Sequence, residues 1–229
     1  MYINQQPSKL NFEIENGVLV KYNGQDSAVV VPKEVTKIGS KAFWGCKKLI
    51  SIVIPDSVTD IGDNAFADCV KLKSIVIPNS VTNIGASAFA RCNNLTSVVL
   101  SKNLTSIDGI FVACVKLKNI VIPDSVTHIG VRTFCNCKNL TNIVIPDGVT
   151  RIDDGAFTAC TNLKSIVLPN TLNSIGKKDY GDAEGMFAGC KKLQLIKFAG
   201  TEEQWDAIDK NPKWANGTGK MCRLEFAED

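Results

Sequence analysis

Nine cysteines and a single histidine, His128, are the side chains with the widest chemical reach in this sequence. Thiolates attack carbonyls and ligate soft metals, paired thiols form disulfides, and a histidine titrates near neutral pH. Spacing argues against each of these uses. Cys46, Cys69, Cys92, Cys114, Cys137, Cys160 and Cys190 follow one another at 23, 23, 22, 23, 23 and 30 residues. A zinc knuckle or redox pair needs CxxC, which is absent; the one C-x-C, Cys135 and Cys137, reads as a chance substitution. There is no G-x-S-x-G elbow, phosphate-binding glycine loop or H-E-x-x-H. His128 has no matched partner in the pattern and reads as a surface residue. No catalytic, cofactor or metal site is expected, and no enzyme.

The cysteine interval is instead a structural period, because a repeat of 20–29 residues is the mark of a solenoid. Other columns keep the same step: Phe43, Phe66, Phe89, Phe111, Phe134, Phe157 and Phe187, and Leu49, Leu72, Leu95, Leu117, Leu140, Leu163 and Leu193. The stretch Leu49, Ile52, Ile54 alternates like a half-buried strand and stops at Pro55, which has no N–H for a ladder. Val58 and Ile61 mark a second short extended segment. The glycine after it (Gly39, Gly62, Gly85, Gly130, Gly176) reads as a positive-φ position, replaced twice by Asp108 and Asp153. The A-F-x-x-C piece is long enough for one helical or 3₁₀ turn opposite the strand. Its phenylalanines and cysteines then stack on those of the rungs above and below, as small and large buried hydrophobes. About seven rungs spaced about 4.8 Å apart give a curved rod on the order of 35 Å long.

The unit "SIVIPDSVTDIGDNAFADC" resembles the BspA-like leucine-rich repeats of bacteria and protozoa, over about Val29 to Phe198. The resemblance implies a right-handed solenoid with a parallel sheet on one side, an α/β repeat fold. It also implies adhesion and binding to host or matrix proteins, at the cell surface or secreted, and it brings no catalytic residues. The chain itself shows no export signal at its start, and nine thiols suit a reducing compartment. The compartment therefore stays open.

The expected organisation is one domain: an N-terminal β-hairpin cap over 1–28, repeats over 29–198, and a C-terminal cap over 199–229. Asn16-Gly17 and Asn23-Gly24 are turn signals in the first part. Thr201 with Gln204 three residues on is a capping-box pattern, and Trp205 and Ile208 suit a helix covering the last rung. The last rung carries an insertion near 177–184 whose Tyr180 is a candidate contact loop. One rung is short instead, with four residues from Ile107 to Phe111 where its neighbours use five, which predicts a kink or tightened turn.

Function then has to lie in the outward columns. One reads Ser51, Ser74, Ser97, Asn119, Asn142 and Ser165; the other reads Val53, Val76, Val99, Val121, Val144 and Val167, preceded by Val30 and followed by Lys197. A valine row along the sheet is either a contact surface for a protein partner or a product of β propensity alone. A second copy of the chain is a possible occupant but not the expected one. Lysines gather before the strand and acids (Asp56, Asp60, Asp63, Asp124, Asp147, Asp153, Asp154) beyond it, predicting one basic and one acidic edge. A net charge of +3 points to no nucleic-acid partner, and no apolar run reaches the roughly 18 residues of a membrane span.

Overall fold

The computed structural model describes residues 11–176, 185–218 and 222–227. The chain winds into a parallel β-solenoid of about seven turns. Three-residue strands such as Ser51–Val53, Ser74–Val76 and Asn142–Val144 alternate exposed, buried, exposed, as the apolar alternation requires. Each is followed by a two-residue strand such as Asp60–Ile61 or Arg151–Ile152. Both kinds pair in parallel with their equivalents one rung away, without a shift of register: Asn142 lies on Ser165, Ile152 on Ile175. A threonine recurs just before the two-residue strand, at Thr36, Thr59, Thr82, Thr105, Thr127 and Thr150, and supports the second ladder, Thr59 Oγ1 donating to the Thr36 carbonyl at 3.3 Å and Thr127 Oγ1 to Thr105 at 3.1 Å.

Opposite the sheet, the rungs differ from the sequence expectation. The A-F-x-x-C stretch forms neither a helix nor a 3₁₀ turn; it is a run of linked β-turns. In one rung Ala65, Ala67 and Cys69 N–H close turns onto Gly62, Asn64 and Phe66, at 3.2, 3.0 and 3.2 Å. The alternate N–H groups of Asn64, Phe66 and Asp68 donate instead to Ala86, Ala88 and Ala90 of the next rung, at 2.9, 2.8 and 2.8 Å. A helix would direct every N–H along its own axis and leave the neighbouring rung without partners. Left-handed φ at Asn64 (54°) and Asp68 (60°) turns every second amide outward.

The glycine column also has a different cause from the one expected. Of its members only Gly176 has positive φ (78°). The others are sites of close approach, where a Cβ on Gly62 would lie 2.6 Å from Ser40 N and one on Gly85 2.5 Å from Asp63 N. Where Asp108 fills the column, the next rung answers with Gly130, whose added Cβ would fall 2.3 Å from Asp108 Oδ1.

Seven phenylalanines from Phe43 to Phe187 form one buried stack, with successive ring centroids 5.0 to 5.9 Å apart. Beside it six thiols, from Cys69 to Cys190, donate to the phenylalanine carbonyl of the preceding rung, among them Cys69 to Phe43 at 3.2 Å, Cys114 to Phe89 at 3.1 Å and Cys190 to Phe157 at 3.0 Å. Cysteine thus fills the place of a small hydrophobe and supplies a donor that alanine lacks. At the start, strands Phe12–Glu15 and Val18–Tyr22 form an antiparallel hairpin through Asn16 and Gly17, both at positive φ. Tyr22 packs on Phe43 at 5.2 Å and continues the stack. At the other end, helix Glu202–Ala207 begins with the capping box of Thr201 and Gln204. It buries Trp205 between Phe198 and Trp214, at 5.2 and 5.1 Å, so this tryptophan is no exposed stacking platform.

Both ladders are interrupted next to the short rung. No pairing joins Asn83–Ile84 to Ser106–Ile107, and residues 119–121 form no strand beside Ser97–Val99. Thr133, fully buried where neighbouring rungs carry Ala or Ile, repairs the gap. Its hydroxyl accepts from Gly109 N at 3.2 Å and reaches the Ile107 and Gly130 carbonyls at 3.0 and 2.8 Å. Ser101, in place of the repeat proline, donates from its buried hydroxyl to the Val81 carbonyl at 2.6 Å.

Candidate functional site

The alternation that buries Ile52, Ile75 and Ile143 must turn the residues after them to solvent. Val30, Val53, Val76, Val99, Val121 and Val144 are all exposed, from 43% at Val30 to 82% at Val121, and Val167 is half-buried. Ser51, Ser74, Ser97, Asn119 and Asn142 are exposed beside them, and half-buried Ser165 donates to Asn142 Oδ1 at 2.7 Å. Asn119 and Val121 keep the column's position but lie outside any strand. Tyr180 and the insertion lie outside the described residues.

Beyond the valines the surface dips. Three adjoining hollows of about 500, 490 and 460 Å³ run from Val53 to Val144 along the solenoid axis. Their floors are Ile54, Ile77, Leu100, Ile122 and Ile145, and their far rim carries Asp56, Lys102, Asp124 and Asp147. The result is an apolar trough with one charged bank. Trp44, which no column singles out, is 58% exposed on the turn side. A position occupied by Ala67 and Ala90 in the next two rungs gives no periodic signal for it.

The acidic edge is less uniform than the sequence implies. Asp56, Asp124 and Asp147 are exposed, whereas Asp60 pairs with Lys37 at 3.6 Å and Asp63 Oδ1 accepts from Ala86 N at 2.8 Å. Asp153 and Asp154 are buried. His128 does have a partner: Nε2 lies 2.9 Å from Asp153 Oδ2, while Arg151 Nε donates to Oδ1 at 2.6 Å. One rung of offset brings together residues 25 apart, which inspection for neighbouring partners misses. Burial alone would raise the Asp153 carboxyl. The hydrogen bonds and charges of His128 and Arg151 outweigh it and hold the group below its ordinary 3.8.

Burial pushes Cys92 up to about 12 and half-buried Cys46 to about 11, so neither supplies a thiolate near neutral pH. Among the described residues no three His, Cys, Asp or Glu side chains are placed to hold a metal ion. No helix among them is long and apolar enough to cross a membrane.

A coil with one inward leucine per turn and a parallel sheet along one side is a leucine-rich-repeat solenoid. The chain belongs to the family described as BspA type leucine rich repeat region, whose profile matches six copies over residues 21–140 and 108–207. Among solved structures it is similar to a leucine-rich repeat protein of T. pallidum, with 26% identity and a TM-score of 0.56 over 85% of this chain and 86% of that one. A leucine-rich repeat protein from Bacteroides ovatus shares 24% identity and a TM-score of 0.48 over 91% of this chain and 66% of its own. A leucine rich cell surface protein from Faecalibacterium prausnitzii shares 21% over 93% and 90%, with a TM-score of 0.42. No curated protein matches the chain.

Proposed function

We propose that this chain is a non-enzymatic, protein-binding repeat module of adhesion type, and that its partner seats on the valine trough. The observation that carries this reading is the exposure of six valines that recur at the same place in successive turns of the coil. A soluble monomer seldom shows a contiguous apolar strip of this kind without a use for it. The serine and asparagine column alongside offers hydrogen bonds to a partner backbone, and Asp56, Lys102, Asp124 and Asp147 offer charge at the rim. Membership of the family supports the same class of role.

The test is binding of the full chain to a panel of immobilised matrix glycoproteins, compared with the Val99→Lys/Val121→Lys variant. Both substituted positions point to solvent, so the variant keeps its circular dichroism and melting temperature. Binding by the natural chain that falls at least tenfold in the variant supports the trough. Equal binding by the two removes it, and a dimer in concentration-dependent light scattering, broken by the same variant, moves the reading to self-association.

A further inference from the structure

The seven segments leading from the repeat cysteine into the strand read CKKLIS, CVKLKS, CNNLTS, CVKLKN, CKNLTN, CTNLKS and CKKLQL. Together they hold ten lysines and no aspartate or glutamate. The chain has 26 basic and 23 acidic residues, so everything outside these segments carries 16 basic against 23 acidic, a net −7. A nearly balanced composition is thus polarised along one line. Parallel pairing in register stacks the segments, Ser51 following Ala28 and Ser165 following Asn142.

All ten lysines are exposed. Among the described residues none forms an ion pair; Lys116 and Lys192 reach Asn94 and Asn162 of the preceding rung at 2.6 and 2.8 Å. The nearest acid in sequence, Asp68, is engaged by Arg91 at 3.2 Å. Rungs about 4.8 Å apart lie within a Debye length of about 8 Å, so these charges repel one another without internal compensation. At its C-terminal end the edge opens into a hollow of about 760 Å³ lined by Lys164, Ser165, Gln194, Leu195, Cys222 and Arg223. Arg223 adds a further positive charge there, 3.9 Å from its own Glu225.

We propose that this lysine edge binds a linear polyanion, specifically a sulfated or uronic-acid polysaccharide. A band of positive charges running along the coil, interrupted at the lysine-free CNNLTS rung, matches a linear polyanion and leaves a globular acidic protein mostly out of reach. Lysine presents compact, hydrated charges without the planar fork by which arginine reads phosphate. The segments contain no Phe, Tyr or Trp, so they lack the stacking platforms of single-stranded nucleic-acid sites. They do carry asparagines and threonines between the lysines, which suit sugar hydroxyls. The lysines precede the strand and the trough lies beyond it, so the edge flanks the valine face on the side away from the charged bank of Asp56, Lys102, Asp124 and Asp147.

The experiment titrates the full chain with labelled heparin, polygalacturonate, duplex DNA, single-stranded DNA and neutral dextran at 50 and 200 mM salt. Heparin binds and dextran does not, and with four lysines engaged affinity falls about 50- to 150-fold between the two salts. Lys71→Glu/Lys73→Glu/Lys116→Glu/Lys118→Glu, checked for folding by circular dichroism, loses at least tenfold; if it fails to fold, Lys164→Glu/Lys192→Glu takes its place. Lys33→Glu/Lys102→Glu on the opposite bank and Val99→Ser/Val121→Ser bind as the natural chain does. Polygalacturonate binding shows that carboxylates suffice, and its absence beside heparin binding narrows the ligand to sulfated chains. No binding to either polysaccharide at 50 mM salt, undiminished binding by the edge variants, or tighter binding to either DNA than to heparin overturns the proposal.

Discussion

The phenylalanine column and the valine column recur at the same interval in the same rungs, yet one is buried throughout and the other exposed. Phe66 and Phe89 stack 5.3 Å apart under full cover, whereas Val76 and Val99 lie exposed on the sheet among the described residues. Periodicity therefore reports that a position is structurally equivalent from rung to rung. It does not report which side of the coil that position faces, which has to come from the alternation around it. A column that is repeated, apolar and uncovered is the one whose residue type burial does not explain.

The largest expected difference between the columns is in stability. Phe111→Ala removes a ring packed 5.8 Å from both Phe89 and Phe134 in the middle of the stack. It should cost about 3–5 kcal/mol by the usual behaviour of buried aromatics. Val121→Ala, at the most exposed valine, should change stability by no more than about 0.5 kcal/mol. Urea unfolding of the two variants side by side measures the contrast. A loss at Val121 approaching that at Phe111 would mean that the trough is part of the core.

A middle case sits at the short rung, where the regular columns fail and one hydroxyl stands in for a missing residue. Thr133→Val keeps the shape and deletes the acceptor of Gly109 N and the donor to Ile107 and Gly130. The Ile107 and Gly130 carbonyls keep the N–H groups of Gly130 and Thr133, so the loss falls on buried Gly109 N; it should cost about 1–3 kcal/mol, and Thr133→Ser should recover most of it. Equal stability of the valine and serine variants would show that the seam is held by packing alone.

What was legible in the sequence follows the same division. Inward leucine, isoleucine and phenylalanine columns could be read because burial in a stack imposes one side-chain type on every rung. The hairpin and the capping box were legible because Asn16-Gly17 and Thr201 with Gln204 act locally. The turn side was misread because A-F-x-x-C has a helix-like length, and the demand that prevents a helix comes from the amides of a neighbouring rung. Gly62 looked like a φ position because the steric pressure on it comes from Ser40, 22 residues earlier. His128 looked solitary because Asp153 lies across a rung boundary. Each miss concerns a contact between rungs, which a consensus written along one rung cannot contain.

The thiols sharpen the comparison without perturbing the fold. Cys69, Cys92, Cys114, Cys137, Cys160 and Cys190 are buried and donate to carbonyls, while Cys46 and Cys222 are partly exposed at the two ends of the coil. Alkylation requires both access and a thiolate, and burial raises the Cys46 and Cys222 thiols as well, so even these two should react slowly near neutral pH. Intact-mass measurement after treatment of the native chain with iodoacetamide should show two modified positions first. The remainder should follow only at the rate of unfolding, rising together when urea is added. Early labelling of Cys114, in the middle of the stack, would show that the rungs open one at a time and that the column of rings does not act as a single cooperative unit.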